Sequence, residues 1–192
     1  ALKDVSFSVR PGSFTSIAGP SGCGKSTLLS LIAGLIAPEK GCIRFYKSDA
    51  MPAAARIGYM LQHDTLLEWR TIYKNILLGL EVTHQCTEQK KRLAADMMHD
   101  YGLASFKNAH PSELSGGMRQ RAALIRTLVL EPDILLLDEP FSALDYQTRL
   151  EVSDDIFRII KEQEKTALLV THDISEAIAM GEQVIVLDRK ST

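Results

Sequence analysis

The chain has 192 residues, 45% of them hydrophobic and 24% charged, with one Trp and a formal net charge of -2. That length suits one domain able to bury a core, and the charge gives no electrostatic reason to expect a nucleic-acid partner, so none is expected. Cys23, Cys42 and Cys86 have neither metal-ligand spacing nor a pairing pattern and read as plain, buried thiols of a reducing compartment.

In chain order, the sequence begins inside a strand-like alternation in which Leu2, Val5, Phe7 and Val9 are apolar. Apolar runs of strand length follow at 14–18, 42–45, 57–60, 134–137, 167–170 and 184–187, with stretches of helical period between them. Within 146–164, Val152, Ile156, Ile159 and Ile160 fall on one helical face. Strands alternating with helices predict an α/β fold whose mainly parallel sheet is covered on both faces. The segment 71–114 is polar and helical and predicts a helical subdomain inserted into a core formed by 1–70 and 115–192, all within one domain. Both termini read as the edges of a fragment. No run approaches the roughly 20 apolar residues that span a bilayer. The longest, 28–37, is interrupted by Ser30 and Gly34 and stops at Pro38. With no signal peptide either, the chain is expected on the cytosolic side, docked on something that is in the membrane.

Gly19, Pro20, Ser21, Gly22, Cys23, Gly24, Lys25, Ser26 and Thr27 fit G-x-x-x-x-G-K-S/T between a strand-like run and a helix-compatible stretch. Glycines there let backbone N–H groups face phosphate oxygens, and the helix N-terminus adds its positive dipole. Lys25 would reach the β- and γ-phosphates of ATP, and the Ser26 hydroxyl would ligate Mg²⁺. The apolar run 134–137 leads directly into Asp138 and Glu139. Two carboxylates at a buried strand end need compensation. A Mg²⁺ ion for Asp138 and an attacking water for Glu139 would supply it.

Ser115, Gly116 and Gly117 open a second helix-compatible stretch. They read equally as a cap and turn or as an anion site built from free N–H groups. If both anion sites are real, the second suits a nucleotide held by another copy of the chain, as a two-fold dimer allows. Gln62 and His172 each lie just past a strand-like run, where ligands of open α/β sheets collect. Gln62 there could touch Mg²⁺ or the water and His172 the γ-phosphate; taken singly, each reads first as an ordinary surface polar residue.

GPSGCGKST, Gln62, LSGGMRQR at 114–121, ILLLDEP at 134–140, SALD at 142–145 and His172 stand in the order and rough spacing of ABC transporter ATP-binding subunits. The chain resembles that family over its whole length. The resemblance implies a P-loop NTPase core of ABC ATPase type and a head-to-tail dimer with ATP sandwiched between the copies. It implies a phosphate loop at 19–27, Gln62 as the glutamine near the metal, and a signature from Leu114 through Gln120 that completes the partner's ATP site. It further implies Asp138 as the metal-organising acid and Glu139 as the base. Asp145 would lie in the loop joining the two sites, and His172 would be the switch histidine. Lys25, Gln62, Glu139 and His172 form the implied catalytic set, with Ser26, Gln62 and Asp138 at the metal.

HPSELSGGMRQR at 110–121 and LQHDTLLEWRTIYKNILLGLE at 61–81 are similar to nitrate/sulfonate/taurine-type bacterial importer ATPases, which often carry Pro where Glu68 stands here. That likeness implies import powered from the cytoplasmic face of the membrane, with permease subunits as partners and a solute-binding protein as an indirect one. Trp69, Ile72 and Tyr73 are candidate permease contacts, and equally candidate core residues of the helical subdomain. The adenine-stacking aromatic of the family would precede Ala1. A DNA-repair or chromosome-maintenance ABC ATPase is the rival reading. The short interval between Lys25 and Ser115 counts against it, because those proteins carry a long coiled coil there. Glu139 and His172 count against a regulatory module without turnover.

Overall fold

A computed structural model describes residues 2–46 and 54–188. In chain order the elements are β1 (Phe14–Ala18), α1 (Lys25–Ile32), β2 (Ile57–Met60), α2 (Ile72–Val82), α3 (Glu88–Asp100), α4 (Gly116–Leu128), β3 (Ile134–Asp138), α5 (Tyr146–Glu162), β4 (Thr166–Thr171), α6 (Ile174–Met180) and β5 (Gln183–Val186). The chain forms two compact units. One comprises Ala1–Tyr59, Asp133–Glu139 and Ile159–Thr192; the other comprises Met60–Pro132 and Pro140–Arg158.

The first unit is built on a five-stranded sheet in the order β2-β3-β4-β1-β5. β1 lies parallel to β4, with Phe14 opposite Ala167, and parallel to β5, with Thr15 opposite Gln183. β3 runs parallel to β4, with Ile134 opposite Thr166. β1 is buried throughout, and β3 and β4 are buried at all but their first residue. That explains their continuous apolar runs, since a parallel strand covered on both faces has no solvent side to make polar. β5 is an edge strand, and its run is largely exposed. Ile17, Leu28, Leu29, Leu136, Leu168 and Val170 form the centre of the core, so α1 seats on the sheet directly behind the turn at 19–24.

Two expected strands do not form. The run 42–45 carries no strand, only an isolated bridge at Tyr46, and 2–9 carries none either. Leu2, Val5, Phe7 and Val9 do pack on the core while their neighbours face solvent. Alternation therefore reported which side chains are buried, and burial does not require a ladder of backbone bonds.

The second unit is helical and wider than the expected 71–114, because α4 packs on α2 and α3 within it. Thr71 and Thr87 cap α2 and α3 by accepting from Lys74 N and Lys90 N. Asn75 is fully buried. Its amide accepts from Leu67 N at 2.7 Å and donates to Leu67 O, Arg70 O and Thr71 O, pinning the loop that enters α2. Ile72 is core at 0% exposure, and Lys107 lies 4.2 Å above the Tyr73 ring. Of the three candidate contact residues only Trp69 is strongly exposed, at 76%. On α5, Val152, Ile156, Ile159 and Ile160 are all buried, as the spacing predicts. Among the cysteines Cys23 is buried, but Cys42 is exposed and Cys86 half-buried; all three are free thiols.

Candidate functional site

The loop between β1 and α1 owes its shape to glycine. Gly22 and Gly24 sit at φ 80 and 104, in the left-handed region that side-chain-bearing residues avoid. A Cβ on Gly19 would stand 2.5 Å from Leu187 O. Gly24 is also the N-cap of α1 and supplies no side-chain cap, and no acidic residue occupies the first turn. The first N–H groups of α1 thus point toward the loop with the helix dipole behind them, which is the chemistry of an anion site.

Lys25 is 4% exposed. Its ammonium donates to Gly19 O at 2.8 Å and to Pro20 O at 3.1 Å, and it lies 3.4 Å from Glu139 Oε1. The other Glu139 oxygen is 2.9 Å from His172 Nδ1. Since a carboxylate accepts, Nδ1 carries the hydrogen in this contact, and Nε2 is left to face other partners. Glu139 has φ 44, a left-handed conformation that costs a non-glycine residue about 1–3 kcal/mol. Its N–H donates to Val170 O at 2.9 Å, tying the strained turn to β4.

Asp138 ends β3 at 8% exposure. Its Oδ1 accepts from Ser26 Oγ at 2.9 Å and its Oδ2 from Tyr59 Oη at 3.2 Å. A carboxylate beside a hydroxyl is the hard-oxygen donor set that Mg²⁺ takes, completed in nucleotide sites by phosphate and water. Among the described residues no group of three or more His, Cys, Asp or Glu side chains is arranged to hold a metal ion. Burial, with the Asp138 carboxylate behind it, raises the pKa of Tyr59, so its hydroxyl remains a donor. No motif marks Tyr59: its reach to Asp138 depends on β2 lying next to β3.

In the second unit Ser115 caps α4, its hydroxyl accepting from Met118 N at 3.3 Å. A hydroxyl that accepts can still donate its own hydrogen, so capping does not remove it from ligand chemistry. The two glycines are required by packing. A Cβ on Gly116 would stand 2.8 Å from Leu144 Cδ2, and one on Gly117 2.5 Å from Val152 Cγ2. Ser115, Gly116, Gly117, Asp145 and Thr148 line a cleft of about 460 Å³. Gln120 does not line it; it is 3% exposed, with Oε1 unpartnered among the described residues. Asp145 accepts from Thr148 N at 3.1 Å, and its bonds to Thr148 lower its pKa. Gln62 donates to Ser142 Oγ at 3.3 Å. Just after it, Arg119 binds the Asp64 carboxylate and Arg126 the carbonyls of Asp64 and Thr65, fixing this segment on α4.

Lys25, Ser26, Asp138, Glu139 and His172 therefore meet within the first unit, whereas Gln62, Ser115, Gly116, Gly117, Gln120 and Asp145 belong to the second. The profile of the ABC transporter family matches residues 2–142. The chain belongs to the ABC transporter family. It is 50% identical over 190 residues to the uncharacterized ABC transporter ATP-binding protein YtlC of Bacillus subtilis, across 99% of this chain and 73% of that protein. It is 44% identical over 186 residues to the aliphatic sulfonates import ATP-binding protein SsuB 1 of Rhodococcus jostii, across 97% and 72%. Among solved structures it matches the ATP-binding cassette MJ0796, a dimer in a post-hydrolysis state bound to ADP and Pi. The TM-score is 0.77 at 33% identity, over 98% of this chain and 86% of that one. This ABC chain is an ATP-binding ATPase subunit, and the sulfonate import relative belongs to the importer group that 61–81 and 110–121 resemble. Among the described residues no helix is long and apolar enough to cross a membrane.

Proposed function

We propose that this ABC ATPase powers solute import as one of two copies that close two ATP molecules between them, bound peripherally to permease subunits on the cytoplasmic face of the membrane. The observation that carries the reading is the meeting of Lys25, Ser26, Asp138, Glu139 and His172 beyond the carboxyl ends of neighbouring parallel strands. The sulfonate import relative supports import as the direction; a solute-binding protein would deliver cargo to the permease. Exposed Trp69 is the proposed permease contact.

The β- and γ-phosphates occupy the loop 19–27 against the N–H groups of α1. Lys25 exchanges the carbonyls of Gly19 and Pro20, and the Glu139 carboxylate, for phosphate oxygens. Ser26 and Asp138 would hold Mg²⁺, to which the family resemblance adds Gln62 as a ligand, and the ion's charge would offset that of the phosphates. Glu139, released from Lys25, accepts a proton from water as the water oxygen bonds to the γ-phosphorus. The bond from that phosphorus to the β–γ bridging oxygen breaks, leaving ADP and phosphate. His172 steers Glu139 through Nδ1 and meets the γ-phosphate through Nε2. The second copy presents its Ser115, Gly116 and Gly117 to the same nucleotide, with Gln120 supporting the turn from beneath and Asp145 linking the two sites.

The test is Glu139→Gln. It keeps size and one acceptor oxygen but removes the carboxylate that takes the proton, so turnover should fall by at least about a hundredfold while ATP drives dimer formation, read by size-exclusion chromatography with ATP and Mg²⁺. Hydrolysis at the parent rate would show that Glu139 is not the base.

A further inference from the structure

Asp138 poses a problem that Ser26 alone does not solve. Asp138 is buried, at 8% exposure, and a buried carboxylate needs partners for its oxygens. Ser26 Oγ faces Oδ1 at 2.9 Å, and Tyr59 Oη faces Oδ2 at 3.2 Å. The two donors come from different elements: Ser26 from the start of α1, Tyr59 from the strand next to β3. Tyr59 is half-buried and lies in β2, where the alternation places it on a face with Ile57. Its ring packs against the sheet core, so the hydroxyl is delivered by a rigid strand rather than by a loop.

We infer that Tyr59 is a positioning residue for the metal site, holding Asp138 Oδ2 so that Oδ1 is aimed at Ser26 and at the metal they share. The inference rests on the proposed placement of Mg²⁺ at Ser26 and Asp138. A carboxylate with one free oxygen rotates about its terminal bond, because such torsions are broad. Fixing the far oxygen removes that freedom before the metal arrives. Partners behind a ligating carboxylate generally change metal affinity by about 10–100-fold when removed. Tyr59 reaches Asp138 and not the phosphate loop, so its effect should appear only through the metal.

The experiment compares the parent with Tyr59→Phe, which keeps the ring and deletes only the hydroxyl. A fluorescent ATP analogue is titrated first in EDTA and then at increasing Mg²⁺, and Mn²⁺ binding to the nucleotide complex is followed separately by electron paramagnetic resonance. The expected result is unchanged nucleotide affinity in EDTA and a metal requirement raised by about tenfold in Y59F. Equal metal affinity in Y59F and parent overturns the inference while leaving the Mg²⁺ site in place. Weaker nucleotide binding in EDTA overturns it too, since the hydroxyl would then act on the fold of the loop. A parent whose nucleotide affinity ignores metal refutes the Mg²⁺ placement itself, and the inference with it. Tyr59→Leu separates ring from hydroxyl: a loss in Y59L with none in Y59F assigns the effect to packing alone and overturns the inference.

Discussion

Glu139 is held from three sides, by Lys25 on one oxygen, His172 on the other, and Val170 O on its N–H. These contacts keep a strained backbone in place. Strain at such a residue is informative, because a glutamate free to relax would leave the left-handed region. His172 is the partner best tested alone. It is nearly half exposed, so its removal leaves no cavity. His172→Ala should reduce turnover by about a hundredfold or more with ADP affinity unchanged within a factor of about two, measured by phosphate release and by nucleotide titration. Parental turnover would assign the Glu139 contact a structural role only. At this scale the motifs made Lys25, Asp138, Glu139 and His172 legible. Tyr59 and the arginines on Asp64 were not, because their bonds join segments that only the strand order and helix packing bring together.

Two elements carry separable predictions. Gly117 opens α4 against α5, and the Val152 methyl that a new Cβ would meet belongs to a β-branched side chain with little freedom to move. Gly117→Ala should destabilise by about 1–3 kcal/mol, lowering the melting temperature by roughly 2–4 °C per kcal/mol. Adding Val152→Ala should recover part of the loss, since contacting sites are not additive. A G117A melting temperature equal to the parent's would mean that α4 shifts freely. The second prediction concerns the entry to β2 and β3. Arg56 N donates to Asp133 Oδ2 at 2.8 Å, and the Arg56 guanidinium lies 3.2 Å from Oδ1, lowering the Asp133 pKa below its ordinary 3.8. A depressed carboxylate pKa stabilises the fold above the unfolded-state value and loses that contribution as pH falls through the folded-state value. Both side chains are about half exposed or more, so the pair contributes no more than about 1 kcal/mol. Asp133→Asn should therefore lower the urea midpoint slightly at pH 7, and the gap from the parent should close below pH 3.8. A gap that widens on acidification would contradict the assignment. Period and length identified most elements from sequence. The run 42–45 misled because apolar residues without a paired neighbour satisfy the same pattern.

On the scale of the whole molecule, the residues of the proposed ATP chemistry are divided between two units. The loop 19–27, Asp138, Glu139 and His172 lie in one, and Gln62 and the Ser115 turn with its cleft lie in the other. The sequence made both motifs legible but left the second open between a cap and an anion site. The structure finds the cap, and a capping hydroxyl retains a hydrogen to give. If the turn serves a second copy's nucleotide, hydrolysis is a property of the pair. Specific activity per chain should then rise with protein concentration and level off once association is complete. Ser115→Arg should abolish turnover at every concentration by filling the cleft and placing a cation where the nucleotide must close. The isolated S115R chain should still bind ATP like the parent monomer, because its own loop at 19–27 is untouched. Nucleotide titrations at concentrations where the parent is monomeric decide the matter. Loss of ATP binding in monomeric S115R would mean that the turn serves its own chain's loop. Activity per chain independent of concentration in the parent would mean that one copy suffices.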